Sequence, residues 1–329
     1  MKHLKVISLF AGCGGSDLGI IGGFDFLGKK YKKLPVSIVH ASDYDKSAVD
    51  TYNKNFNHSA VCCDVRALSS NSLPDCDVVL GGFPCQSFST VNPTKNTNDA
   101  RANLYKEMLR IVSEKLPMAF IAENVKGMMT LEKGTIMKRI LSDFESIGYN
   151  VKFKLLNAAD YGIPQRRERV FIVGIRSDIN VEFEFPKPVL SENATNSWVP
   201  LNKIVTKLKI EDSKYYFSKR AVEGMKNAKP NMKRGLFQDL NKPCLTITSH
   251  LAKVSLNSRD PVLLVNPEEE LYRRFTVKEA AGIQSFPEQF EFPVSDHQAY
   301  KQIGNAIPPV LMWHVSSALT ELLISKFKK

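Results

Sequence analysis

Cys85 stands in the stretch Asp77-Val-Val-Leu-Gly-Gly-Phe-Pro-Cys-Gln-Ser-Phe-Ser89, where a short apolar run meets two glycines and then presents one thiol between a proline and a glutamine. In open α/β sheets chemistry gathers at the carboxyl edge of the strands, so a thiol delivered there is placed to act as a nucleophile. The thiolate is the reactive form, and a free thiol is mostly protonated at neutral pH, so Cys85 needs a nearby positive charge or a base. Arginines are available in Tyr161-Gly-Ile-Pro-Gln-Arg-Arg-Glu-Arg-Val170. Strand alternation would send Arg167 and Arg169 to one face and Arg166 and Glu168 to the other. Taken alone, that run reads equally as a salt-bridged surface strand. Glu123 ends the apolar run 119–122 and can face the same crevice as Cys85. A partly desolvated glutamate with a raised pKa can donate a proton near neutrality. The alternative for an isolated Glu-Asn-Val is a capping or turn role.

A second constellation begins at Gly12. Strand, then Gly12-x-Gly14-Gly15, then helix is a way to hold a nucleotide-like cofactor, because glycines let the backbone approach and the helix N-terminus offers unpaired N–H groups. Asp17 occupies the third position of the Gly-x-Gly-x-x-Gly pattern, so the match is incomplete, and an ordinary tight turn would look much the same. Asp43, at the end of the next apolar run, could accept hydrogen bonds from ribose hydroxyls. Asp64 could meet an adenine amino group in the same manner. Either could instead be a solvated loop carboxylate.

The elements that must position these groups alternate. Strands are expected at 6–10, 36–41, 78–80, 119–122, 149–156 and 170–175. Helices are expected from 16, over 46–56 with Ala48, Val49, Tyr52 and Phe56 on one face, and around 104–114 and 136–147. The expectation is an α/β fold, a mostly parallel sheet with helices on both faces. After Arg176 the alternation stops, and prolines punctuate short strand-like pieces such as Cys244-Leu-Thr-Ile-Thr-Ser249. This predicts a smaller, irregular, strand-rich second lobe. A final helix opened by Pro308-Pro309, with Val310, Leu311, Trp313, Leu319, Leu322 and Leu323 as its apolar stripe, is expected to pack back onto the first lobe.

With 329 residues, 43% of them hydrophobic, the chain can bury a large core. No apolar run long enough to span a bilayer is expected, and no signal segment at the N-terminus, so the reading is a cytoplasmic protein with no membrane partner. The six cysteines form no Cys-x-x-Cys pair, so no metal site is expected. The net charge of +11 favours a polyanionic partner without identifying one. Lysine or arginine at 203, 207, 209, 214, 219, 220, 226, 229, 233 and 234 faces only Glu211, Asp212 and Glu223, which strengthens the nucleic-acid reading. If the partner is duplex DNA, as the resemblance below implies, Arg234, Thr246 and Thr248 are candidates for major-groove contacts, since arginine suits guanine and small hydroxyls suit several base edges, although each could equally be a phosphate contact or plain structure.

The ordered set of Phe10-Ala-Gly-Cys-Gly-Gly15, Gly82-Phe-Pro-Cys-Gln-Ser-Phe-Ser89, Glu123-Asn-Val125, Gln165-Arg-Arg-Glu-Arg169, Glu279-Ala-Ala-Gly-Ile-Gln-Ser-Phe-Pro287 and Gly304-Asn-Ala-Ile-Pro-Pro309 resembles the C5-cytosine DNA methyltransferases of bacterial restriction–modification systems. The resemblance runs the length of the chain except about positions 188–270. It implies a Rossmann-like fold that binds S-adenosyl-L-methionine and releases S-adenosyl-L-homocysteine. Phe10, Gly12 and Gly14 would line the cofactor, Asp43 would bind its ribose, Asp64 and Val65 its adenine, and Asn305 would tie the last helical region to the cofactor and target lobes. Cys85 would attack C6 of a flipped-out cytosine, Glu123 would hold and protonate N3, and Arg167 and Arg169 would contact the base and help position Cys85. Gln86 and Ser87 would touch duplex DNA, and a catalytic loop over roughly 88–103 would close on it. The implied division is 1–187 with 297–329 as catalytic and cofactor-binding domain, 188–275 as target-recognition domain and 276–296 as hinge. A monomer is implied, with a cognate restriction endonuclease in the same system but not as a stable subunit.

Three other readings compete, one of them a non-catalytic DNA-binding protein on the same scaffold, which would require a lost nucleophile or acid where Cys85 and Glu123 are both present. The tRNA-modifying branch of the same scaffold carries a Cys-Phe-Thr signature in its small lobe, and the nearest string here is Cys244-Leu-Thr. A nicotinamide oxidoreductase would explain the glycine loop and Asp43 but would leave Cys85, Glu123 and the arginines idle.

Overall fold

Period-two alternation in four central strands decides the architecture. A computed structural model describes residues 3–84, 104–192, 197–227, 237–252 and 261–326. In β1 (Leu4–Leu9), β6 (Val78–Gly81), β7 (Ala119–Val125) and β10 (Glu168–Arg176), neighbouring residues enter opposite cores. Val6, Val78, Leu80, Ala119, Ile121, Phe171 and Val173 face one cluster; Ile7, Val79, Phe120, Ala122, Val170 and Ile172 face the other. A strand with apolar residues on both sides needs cover on both faces. Helices α1 (Gly15–Ile21) and α8 (Pro309–Lys326) supply it on the first face, and α3 (Leu104–Lys115) and α4 (Thr135–Ser146) on the second.

The seven-stranded sheet has the order β5-β4-β1-β6-β7-β10-β8, with β4 at Val36–Asp43, β5 at Val61–Cys62 and β8 at Tyr149–Asn157. All pairings are parallel except those of β10, which runs antiparallel between β7 and β8. β1 is flanked by β4 on one side and β6 on the other, so the chain winds outward in both directions from it. That switch point is where open α/β sheets form their ligand crevice. Helix α2 (Lys46–Asn55) follows β4, is capped by Asp45 accepting from Ser47 N, and buries Ala48, Val49 and Tyr52 as its spacing predicts.

The remaining elements are small. A hairpin of β2 (Phe24–Phe26) and β3 (Lys29–Tyr31) packs Phe24 and Tyr31 onto the α8 side. The two-residue β9 (Gln165–Arg166) pairs with β11 (Cys244–Leu245), and β12 (Leu263–Asn266) pairs with β13 (Leu271–Arg273). Helices α5 (Lys219–Lys226), α6 (Val277–Ile283) and α7 (Asp296–Asn305) complete the set. A third core cluster joins Leu201, Ile247, Leu263 and Phe275 of the proline-punctuated region to Ala280, Ile283, Tyr300 and Ile303, and to Cys13 of the glycine loop.

The C-terminal helix packs where its stripe predicts, but one expectation is corrected. By length and composition 296–326 is apolar enough to cross a bilayer, although 61% of its most apolar window is buried inside the protein. The helix is apolar because it is a core element: Val310, Leu311, Met312, Val315, Leu319 and Leu323 are packed against β1 and β6.

Phe144 on α4 stacks on Phe120 of β7 with ring centroids 4.2 Å apart, and both are fully buried. Phe144→Ala is expected to lower the unfolding free energy by about 3–5 kcal/mol, through lost transfer energy plus a cavity. Urea unfolding would show this as a lower midpoint at unchanged slope.

Candidate functional site

The sheet topology gathers the candidate groups at one edge. β1, β4, β6 and β7 end there, which places Phe10, Asp43, the Gly82-Phe83-Pro84 turn and Glu123-Asn124-Val125 side by side. Because β10 runs the other way, its beginning lies at that same edge, and Arg169 pairs in register with Val125. A cavity of about 570 Å3 opens among these ends. Its lining includes Phe10, Gly12, Asp43, Asp64, Val65, Pro84, Glu123, Arg167, Arg169 and Asn305.

Glu123 is the electrostatic centre. It is buried, and its Oε1 lies 3.0 Å from Arg169 Nε. The geometry there is an ion pair, not a well-aligned hydrogen bond, and Oε1 accepts no hydrogen bond among the described residues. Burial pushes the carboxyl pKa up, and the charges of Arg169 and Arg167 pull it only partly back. A Cβ placed on Gly82 would stand 3.5 Å from Glu123 Oε2, so the carboxyl lies beside the backbone that leads to Cys85. The next residue, Asn124, donates from Nδ2 to the Phe83 carbonyl at 2.9 Å and pins that same turn to β7. Sequence reasoning left Asn124 without a role; its signal was its place directly after Glu123 in the same motif. Cys85, Gln86, Ser87, Arg234 and the loop 88–103 lie outside the described residues. The other thiols that line the cavity are poor nucleophiles: burial pushes Cys13 up to about 12 and also raises Cys63.

The glycine loop is built around carboxylates. Phe10 and Gly12 both have left-handed backbone, with φ of 56° each. A Cβ on Gly12 would meet no atom within 4 Å, so that glycine leaves an open cradle at the cavity wall. Gly14 departs from expectation: it does not line the cavity. Its φ is 94°, and a Cβ there would stand 2.3 Å from the Phe56 ring, so it serves close packing. Asp43 accepts from Gly12 N at 2.8 Å and from Asp45 N at 2.9 Å, and burial raises its pKa. Asp64 caps the turn at Val65–Ala67 and is paired with Arg66, whose hydrogen bonds hold its carboxyl below the usual range. Both carboxylates reach the cavity while already organising backbone.

Asp17, which spoils the glycine fingerprint, is fully buried and accepts hydrogen bonds from Ser8 Oγ (2.8 Å), Ser16 Oγ (3.0 Å) and Tyr52 Oη (2.8 Å). Tyr52 Oη lies 2.7 Å from His58 Nε2. Asp17 therefore anchors the helix after the loop to β1 and α2. Desolvation by burial pushes its pKa up to about 6 against those hydrogen bonds.

The arginine run separates as alternation predicts. Arg166 pairs with Glu192 and lies over the Trp198 ring, and Glu168 pairs with Lys126 at 2.8 Å, all on the outer side. Arg167 is 1% exposed, and its guanidinium is occupied by three backbone carbonyls: Ile247 (2.9 Å), Gly304 (2.8 Å) and Ala306 (3.0 Å). It reaches the cavity wall while bracing the segments around 247 and 304–306, and Arg169 is the arginine paired with Glu123. Asn305 is exposed on the cavity rim, and the ties at that place run through the carbonyls on either side of it. Thr246 Oγ1 donates to the Arg166 carbonyl at 2.7 Å and Thr248 Oγ1 accepts from His250 N at 3.1 Å, which gives both hydroxyls internal partners.

Sequence comparison agrees with this geometry. Residues 4–321 match the family model described as C-5 cytosine-specific DNA methylase. The chain is 33% identical to the type II methyltransferase M.FnuDI of Fusobacterium nucleatum, covering 99% of this chain and 96% of the relative. It is 34% identical to M.BsuRI of Bacillus subtilis, over 98% of this chain and 80% of that one. The crystal structure of the S. pombe Dnmt2 methyltransferase superposes with a TM-score of 0.74 over 98% of this chain and 99% of the other, at 20% identity, a likeness of fold.

The Asp17 network sets a pH signature. A carboxyl whose pKa rises from an ordinary 3.8 to about 6 on burial binds its proton more tightly when folded. Its contribution is fully present below the unfolded pKa and is lost as pH rises through the folded one. Relative to Asp17→Asn, the wild type is expected to lose roughly 3 kcal/mol of stability between about pH 4 and pH 7. Urea midpoints of the two proteins across that range would check this; parallel curves would refute it.

Proposed function

The chain belongs to the C-5 cytosine-specific DNA methylases and is a DNA cytosine-5-methyltransferase, and from that premise we propose that it methylates a cytosine flipped out of a specific duplex site, using S-adenosyl-L-methionine and a covalent bond from Cys85 to C6. The observation that carries this reading is Glu123: a buried carboxyl of raised proton affinity, ion-paired with Arg169 and beside the turn that runs into Cys85.

The residues present fit the cofactor. The open cradle at Gly12, the left-handed Phe10 and the carboxylates of Asp43 and Asp64 line a cavity within the ~300–1,000 Å3 range of small-molecule sites. Asp43 and Asp64 would accept from ribose and adenine, with Val65 and Asn305 beside them. Bound S-adenosyl-L-methionine supplies an electrophilic methyl group on a sulfonium and leaves as S-adenosyl-L-homocysteine.

Glu123 would hold a proton at N3 of the target cytosine, which makes C6 electrophilic. The Cys85 thiolate adds at C6, and C5 becomes an enamine carbon. That carbon would take the methyl group, and removal of its remaining proton by a base would then break the C6–S bond and release the Cys85 thiolate. This splits one difficult substitution into two easier steps. Arg169 would keep the Glu123 carboxyl oriented and offset its burial. Extruding the base costs on the order of a few kcal/mol, which phosphate contacts from the lysine-rich segment 203–234 help to offset. Gln86, Ser87 and Arg234 would approach the DNA, and the loop 88–103 would close over it. The domain division follows as 1–187 with 297–329, 188–275 and 276–296. The enzyme would work as a cytoplasmic monomer that protects DNA within a restriction–modification system, apart from its endonuclease.

Incubation with a random-sequence plasmid followed by bisulfite sequencing should show 5-methylcytosine at one position of a short recurring site. Methylation of tRNA in place of duplex DNA would overturn the substrate assignment. Cys85→Ser is expected to abolish turnover while duplex binding persists, and 5-fluorocytosine in the target should trap a covalent adduct that peptide mapping places on Cys85. Glu123→Gln is expected to lower kcat by about 10²–10⁴, the usual worth of a general acid, with duplex affinity largely kept; steady-state kinetics beside a gel-shift titration separates the two quantities.

A further inference from the structure

Two buried glutamines outside the reaction centre join all three parts of the lobe junction. Gln165 lies in β9, two residues before Arg167 and four before Arg169. Gln284 follows α6. Both side chains are fully buried. Gln165 Oε1 accepts from Ile247 N at 2.9 Å, and its Nε2 donates to the Ile283 carbonyl at 3.2 Å and to Gln284 Oε1. Gln284 Nε2 donates to the carbonyls of Ile303 (3.0 Å) and Ala306 (2.7 Å). The backbone partners fix both amide orientations, because an N–H can only donate and a carbonyl can only accept. Arg167 closes the ring through Ile247 and Ala306, the same two residues that the glutamines hold.

The segment 244–249 is stitched to the catalytic sheet by this cluster. β11 pairs with β9, Thr246 Oγ1 donates to the Arg166 carbonyl, and Gly304 lies so close that a Cβ on it would stand 2.2 Å from Thr248 C. Resting on the DNA methyltransferase reading above, we propose that Gln165 and Gln284 are positioning residues that set the span between the recognition lobe and the base pocket. They touch neither base nor cofactor. They hold the strand that begins with Arg167 and Arg169 at a fixed distance from the lobe that grips the duplex. Without them the free enzyme samples several spans, and only a fraction can seat an extruded base against Glu123. Apparent duplex affinity then falls by that fraction, while turnover of the bound complex does not.

Gln165→Met and Gln284→Met keep side-chain length and remove the hydrogen bonds. Each is expected to raise the duplex KM about tenfold, close to the ~1.4 kcal/mol of a buried polar group left unpaired. kcat and calorimetric S-adenosyl-L-homocysteine affinity should stay within about threefold, and the double variant should be no worse than the worse single one, since they share a bond. A 2-aminopurine target base should lose fluorescence amplitude in the same proportion. The span itself is read without DNA, as the distance distribution between labels on α2 and α5, which should broaden in both variants. Gly304→Ala, which pushes on 248–249 while leaving both amides intact, should reproduce the KM effect. A double variant with unchanged distance distribution, KM and base capture overturns the inference. A wild type that methylates no duplex overturns the functional reading, whereas the distance measurement still judges the clasp.

Discussion

Everything at the site depends on one ion pair across neighbouring strands, Glu123 of β7 with Arg169 of β10. Taking a carboxylate out of water costs several kcal/mol, and only a close, well-placed partner offsets it. The partner is supplied by topology: β10 enters the sheet antiparallel, so its first residues meet the last residues of β7. A parallel strand in that slot would have sent both arginines to the opposite edge. The offset is incomplete, since burial still leaves Glu123 with a raised proton affinity. That incompleteness is what a proton donor near neutrality requires.

The cofactor side of the crevice follows a different economy. There the carboxylates first hold the protein and only then face the cavity. Asp43 organises the glycine loop through two backbone amides, and Asp45 caps α2 while pairing with Lys301 at 2.7 Å. Gln302 reaches Ser47 from the same C-terminal segment. Asp17 binds three hydroxyls at the back of the loop. A loop held at so many points keeps its left-handed residues in place before any ligand arrives, which lowers the ordering cost of binding.

The two lobes meet through backbone carbonyls and buried amides more than through charge pairs. Arg167 is the exception, and its two terminal nitrogens donate to backbone carbonyls. Carbonyl acceptors fixed in position make the junction directional, so the angle between the lobes is specified as well as their contact. A junction of apolar side chains alone would tolerate sliding.

Much of this was legible in the residues. The alternating apolar runs marked the long strands β1, β4, β6, β7, β8 and β10 and helices α2, α3, α4 and α8 to within a few residues, while the short hairpin of β2 and β3 and helix α7 went unmarked. The motifs also marked Glu123, Asp43 and Asp64, which the structure brings to one cavity at the strand ends. The roles of Asn124, Gln165, Gln284 and Asp17, and the bracing role of Arg167, were not legible, since each depends on a partner 35 to 139 positions away, or on a backbone carbonyl that any residue could supply. Local pattern thus determined which segments are strands and helices and which residue types could react. Only the tertiary structure decided that β10 turns back against β7, and with it which arginine faces the acid and which one ties the lobes, because strand direction is set by long-range pairing and leaves no periodic trace in the chain.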